Sequence, residues 1–320
     1  MIRSVHVGVI AITILLSSSN LFAQTPALSE WGLGTRSASM GGVATVSFSD
    51  ALGCALNPAG SVNANKLTAS VFYSSPQKDS DHLALGITLP TAHDGAFGFS
   101  YYHTGMEYDL ASNTYLHSAP ASMNNQHFML NHARPLFRDL SLGINAEYSI
   151  LDYGTLADAS DFLGIDVGLQ YQPKLANRIF RDVAVGIVLD NLVQLLGPDS
   201  GQPDAWGNDL DGSLRAYRFM TEKKMNLGHN RLSLVANLAV REEYVYKNGF
   251  NNEEKELSRI KLQLGFEYGY KSLVLRMGHR EGTLTGGVGM NIGHIQLGYA
   301  YGSADNLNND INSFSLSCEF

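Results

Sequence analysis

The stretch Ser313-Phe314-Ser315-Leu316-Ser317-Cys318-Glu319-Phe320 decides the fold. Apolar and polar side chains alternate in it without a break. A period of two marks a β-strand with two unlike faces. One face is wholly apolar (Phe314, Leu316, Cys318, Phe320), and the other carries three serines and Glu319. A strand that crosses a bilayer in a closed barrel has such faces, one against lipid and one toward a lumen. Phe320 is also the aromatic ending usual in outer-membrane barrels.

Working back from this strand, the pattern repeats. Leu140, Leu142, Ile144, Ala146 and Tyr148 alternate with Ser141, Gly143, Asn145, Glu147 and Ser149. Leu163, Ile165, Val167 and Leu169 alternate with Gly164, Asp166, Gly168 and Gln170. Ile260, Leu262, Leu264, Phe266 and Tyr268 alternate with Lys261, Gln263, Gly265, Glu267 and Gly269. About fourteen such runs follow one another over residues 66–320, each long enough for a tilted strand in a bilayer. Aromatics near the run ends, such as Tyr148, Tyr171, Tyr268 and Tyr301, fit an interfacial girdle. Residues 214–224 are the exception, because Arg215, Arg218, Glu222, Lys223 and Lys224 blur the alternation. The fold class expected is all-β: a transmembrane antiparallel β-barrel of about 14 strands with a short N-terminal plug inside the lumen.

The ends and the composition agree. Arg3, the apolar run Val7–Leu16 and the small residue Ala23 read as an export signal over residues 1–23, with cleavage after Ala23. No later run approaches the ~18 apolar residues of a membrane-spanning helix. The chain holds 32 Gly, 15 Tyr and 14 Phe, with 16% charged residues, as expected where lipid-facing and lumen-facing side chains alternate. A net charge of −8 argues against a nucleic-acid partner. Outer-membrane lipid is the first partner implied.

Residues 24–65 do not alternate. They are rich in Gly, Ala and Ser, and Pro58 with Gly60 punctuates a turn. This segment reads as short helical turns plugging the barrel. Its polar residues Arg36, Asp50 and Asn57, with Pro58, are the expected plug contacts. The inward-parity residues Glu147, Asp166, Lys261, Glu267 and Arg276 are their candidate wall partners, since buried polar groups need partners. Cys54 then lies inside and Cys318 on the lipid face, so no bridge between them is expected.

No set of residues supports enzymatic chemistry. There is no nucleophile elbow, no HExxH and no ordered Ser, His and carboxylate series. No metal or cofactor is expected. His279 and His294 fall on neighbouring strands, where they have a chance to approach. Gly286-Gly287-Val288-Gly289 sits within a strand and reads as a close approach of the plug, not a phosphate loop.

Two motifs carry a resemblance. Gly34-Thr-Arg36-Ser-Ala-Ser-Met40-Gly41-Gly42 and Asp50-Ala51-Leu-Gly-Cys-Ala-Leu-Asn57-Pro58-Ala59-Gly60 resemble the plug of FadL-like outer-membrane proteins, in particular the PorV/PorQ-like branch of Bacteroidetes. Leu275-Arg276-Met277-Gly278, Gly286–Gly289 and Tyr299-Ala300-Tyr301 follow in the order of that branch. Leu52-Gly53-Cys54 departs from its usual polar-Ala-aromatic run.

The resemblance implies a non-enzymatic accessory or shuttle role in type IX protein secretion and surface attachment. Partners would then be the secretion machinery or its cargo, docked on a loop containing Leu195, Leu196 and Trp206. The alternative it implies is FadL-like transport of hydrophobic small molecules, with a hydrophobic ligand beside the plug.

Overall fold

The computed structural model describes residues 32–46, 50–75, 80–92, 95–108, 121–152, 160–173, 182–196, 216–228, 230–246, 253–280, 283–304 and 309–320. Fourteen antiparallel strands close into one barrel. They are β1 (Thr68–Ser75), β2 (Ser80–Pro90), β3 (Ala96–Tyr108), β4 (Ala121–Phe137), β5 (Leu140–Asp152), β6 (Ser160–Tyr171) and β7 (Val183–Leu196). The second half is β8 (Ala216–Leu227), β9 (Asn230–Tyr246), β10 (Glu253–Tyr270), β11 (Leu273–Arg280), β12 (Thr283–Ile292), β13 (Ile295–Ala304) and β14 (Asn309–Glu319). Every strand pairs with its sequence neighbours, and β1 pairs with β14.

The opening stretch makes that closure. Thr68 lies opposite Glu319, Ser70 opposite Ser317 and Ser74 opposite Ser313. Two of these serine pairs hydrogen-bond inside the barrel, each at 2.8 Å. The Phe320 amide adds a last bond of 2.8 Å to the Leu67 carbonyl. The outer face carries a belt of exposed Leu, Ile, Val, Phe and Tyr, including Phe314, Leu316, Ile260, Leu262 and Leu130. So large an apolar surface is stable in a bilayer, where it replaces lipid contacts, and not in water.

Strand β8 alternates after all. Ala216, Arg218, Met220 and Glu222 are buried inward, while Phe219 and Thr221 face out. The sequence looked blurred because two inward positions are charged and Lys224 is exposed at the strand's lower end. The connections sort by end. The short links 76–79 and 281–282 lie at the same end as the long connections 109–120 and 197–215. The opposite end has the tight turns after Phe137, Leu227, Tyr270 and Ile292, and in barrels of this type it is the periplasmic end. His279 lies on the long-loop half of β11, whereas His294 sits in a turn at the other end, 3.4 Å from Lys66. The two histidines do not meet.

Inside, the plug comprises α1 (Gly34–Ser39), α2 (Gly53–Leu56) and a 3-10 turn (Pro58–Asn63). Helix α1 packs on β11–β14, and the 3-10 turn packs on β4–β6. The wall admits them by omitting side chains. A Cβ on Gly143 would stand 2.1 Å from the Pro58 carbonyl carbon, and one on Gly278 would stand 2.0 Å from that of Met40. Gly287 approaches Ser39 in the same way, whereas a Cβ on Gly286 would make only an ordinary contact, 3.7 Å from the Arg276 carbonyl oxygen. Gly143→Ala should therefore unseat the Pro58 turn and lower the temperature at which the folded band is lost in heat-shift electrophoresis. Gly286→Ala should leave that temperature unchanged.

Candidate functional site

The interface between plug and wall has an ionic side and an amide side, with apolar packing between them. On the ionic side, Arg36 from α1 donates through Nε to Glu267 Oε2 at 2.9 Å and through Nη2 to Glu222 Oε1 at 3.2 Å. Arg276 donates through Nε to the same Glu267 oxygen at 2.8 Å. Arg36 Nη1 also bonds Thr45 Oγ1 at 3.0 Å, which ties the latch to the rest of the plug. Arg36 is 8% exposed and Glu222 0%. Burial works to lower the Arg36 pKa, but the Glu267 and Glu222 charges more than offset it and hold it above its ordinary range. Breaking a buried pair by removing one partner costs about 3–5 kcal/mol, because the other charge is left uncompensated.

On the amide side, the Pro58 carbonyl accepts from Asn131 Nδ2 at 3.1 Å. Asn131 also donates to Asn145 Oδ1 at 2.7 Å. Asn145 donates to the Cys54 carbonyl at 3.2 Å and to Asp166 at 3.4 Å. Asn57 is turned into the plug, with Nδ2 3.4 Å from the Thr45 and Val46 carbonyls and Oδ1 unpartnered. Asp50 caps α2 by accepting from the Leu52 and Gly53 amides, each at 3.0 Å. Burial raises its carboxyl pKa, opposed by the Arg36 charge.

Of the five wall residues expected from parity, Glu267 reaches Arg36 and Asp166 reaches the plug through Asn145. Arg276 acts by holding Glu267. Glu147 instead serves the wall, accepting from Tyr102 at 3.1 Å and Ser149 at 2.8 Å, with His127 Nδ1 at 2.9 Å. Lys261 is buried on the inward face of β10. Sequence reasoning missed Glu222, although its parity within β8 was the available signal. It also missed Asn131 and Asn145.

The His127 group is not a catalytic relay. Glu147 and Ser149 both approach Nδ1, at 2.9 and 2.6 Å, while Nε2 is buried without a partner. A Ser-His-carboxylate relay needs the two partners on different ring nitrogens.

Between the polar sides, Leu33, Val46, Leu52 and Leu56 of the plug pack against Phe72, Tyr102, Met129, Val188 and Met220 of the wall. The wall beside this cluster is irregular. Between Ile165 and Val167 of β6 there is one residue, but between their partners Val193 and Leu189 of β7 there are three. This bulge places Asn191 at φ 53°, and its amide is taken by Asp166 Oδ1 at 2.8 Å. The described ladder from β7 to β8 runs from Val183 opposite Lys223 to Asp190 opposite Ala216, the first described residue of β8. Just below that end, Arg218 of β8 is bonded to Asp190 of β7. Leu195 and Leu196 belong to this strand and not to a loop, and Trp206 lies outside the described residues.

No protein-family model matches the chain, and no curated protein matches it. Solved structures do. The toluene transporter TbuX of Ralstonia pickettii is 14% identical, with 92% of this chain and all of that one covered at a TM-score of 0.57. A Pseudomonas aeruginosa FadL homologue is 12% identical, covering 94% and 100% at 0.58. The toluene transporter TodX of P. putida is 13% identical, covering 91% and 99% at 0.56. The fold is that of a FadL-type barrel. At these identities the likeness extends to the FadL-type architecture and not to individual side chains.

Cys54 reports on the plug. Its Sγ is buried, and burial pushes the thiol up to about 12. In a Cys318→Ala background, maleimide at pH 7.5 should leave the folded protein unlabelled. Glu222→Gln with Glu267→Gln should release Arg36 and make Cys54 reactive, which mass spectrometry would read directly.

Proposed function

We propose that the protein is an outer-membrane transporter of hydrophobic small molecules, in which solute leaves the lumen sideways at the β7 bulge. The supporting observation is the bulge at Asp190–Leu192 of β7, where the β6–β7 register slips beside the apolar plug–wall cluster. In a bilayer, unpaired strand backbone is costly, so a wall interruption of this kind needs a use. Here it adjoins Val188 and Met220, which line the apolar cluster. The Arg218–Asp190 ion pair then acts as the latch of the exit. The FadL-type fold supports the same reading, since solved structures that share it include toluene transporters.

The PorV/PorQ-like motifs in the plug remain a resemblance of sequence. The type IX secretion reading placed its partner on a loop containing Leu195, Leu196 and Trp206. Two of these lie in β7, and no observation on the described residues favours that reading over transport.

The test is uptake of radiolabelled toluene and of a long-chain fatty acid by cells carrying or lacking the protein. Faster uptake of at least one is expected. An Asp190→Cys/Ala216→Cys pair should block that gain when oxidised and restore it on reduction. Equal uptake of both solutes with and without the protein would refute the proposal.

A further inference from the structure

The periplasmic end of the lumen holds a cavity of about 360 Å³ lined by Arg36, Lys224, Arg231, Glu267, Arg276 and Glu319. Four cations face two carboxylates there. Glu222, which bonds Arg36 from behind, still leaves the group one positive charge in excess. Glu319 is moreover 3.6 Å from Lys66. The excess is notable in a chain whose formal net charge is −8.

Two of the guanidiniums keep donors free. Arg276 uses only Nε, on Glu267, and its Nη atoms have no partner among the described residues. They lie over Gly289, where a side chain would displace them: a Cβ there would stand 2.8 Å from Nη1. Arg231 is exposed to the cavity and makes no hydrogen bond or ion pair among the described residues. Val274, on the inward face of β11, supplies apolar wall beside them. A cleft walled by low-dielectric material concentrates the field of such charges, and a guanidinium offers paired donors that match a carboxylate.

We propose that this mouth binds small organic carboxylates, with the carboxylate on Arg276 and Arg231 and the apolar body against Val274. Lys224, half exposed at the rim and 4.0 Å from Glu222, adds longer-range attraction.

The experiment is calorimetric titration of the full-length barrel in neutral detergent with phenylacetate, 2-phenylethanol and inorganic phosphate. Phenylacetate should bind saturably and the neutral alcohol about tenfold more weakly or not at all. Arg231→Gln should weaken phenylacetate about fivefold, and Lys224→Gln about twofold, with the heat-shift band unchanged. Equal affinity for acid and alcohol, or unaltered affinity in both variants, would overturn the proposal. Tighter binding of phosphate than of phenylacetate would also overturn it, since the site would then be one for a bare anion. Binding in detergent without uptake in cells would retain this site and remove the transport reading; uptake without binding would do the reverse.

Discussion

The ladder between β1 and β14 is the constraint on which everything else rests. A sheet in lipid has no water to satisfy an edge, so the first and last strands must find each other or every strand between them is lost. The eight residue pairs of that seam meet this need. They also explain the serines of the final strand. Ser313 and Ser317 give short side chains that bond Ser74 and Ser70 across the inner face, while Ser315 leaves room for Thr35 of α1. The sequence that closes the barrel also makes space for what fills it.

Closure creates a second requirement. A fourteen-stranded ring encloses more volume than its own side chains fill, and the interior here is rich in charge. The plug meets both demands. Its apolar residues fill one region, and Arg36, with Arg276 of the wall, balances the two carboxylates Glu222 and Glu267. Glycine at 143 and 278 is the wall's counterpart, because backbone must approach backbone where no side chain fits. The composition of the wall follows from the contents of the lumen.

Legibility followed the solvent boundary. The strands were readable because lipid on one side and lumen on the other force a period of two, and a run such as Ile260–Tyr270 states that period without ambiguity. Strand β8 was harder because paired charges such as Arg218 and Glu222 look the same in sequence as exposed ones. The β7 bulge left no trace at all: Asp190-Asn191-Leu192 reads as ordinary strand end, and only the register against β6 counts the surplus residues. In the plug, Arg36 and Pro58 could be named from motif, but their partners could not. Asn131, Asn145 and Glu222 lie far away in sequence, and only barrel closure brings them to the plug.

The two tethers of the plug are unlike, and they occur in a fixed order along the chain. Helix α1, with its ionic latch, comes first. The 3-10 turn, with its amide bonds to β4 and β5, comes last, and β1 follows it within five residues. The plug is therefore a lever with a covalent hinge at one end. A pull from the side of residue 32 loads the Arg36 contacts first and the Pro58 contacts last, whereas a push from the wall at β4–β5 meets the hinge directly. The molecule is mechanically directional: it yields in steps to tension along its own chain and resists the same force applied across it.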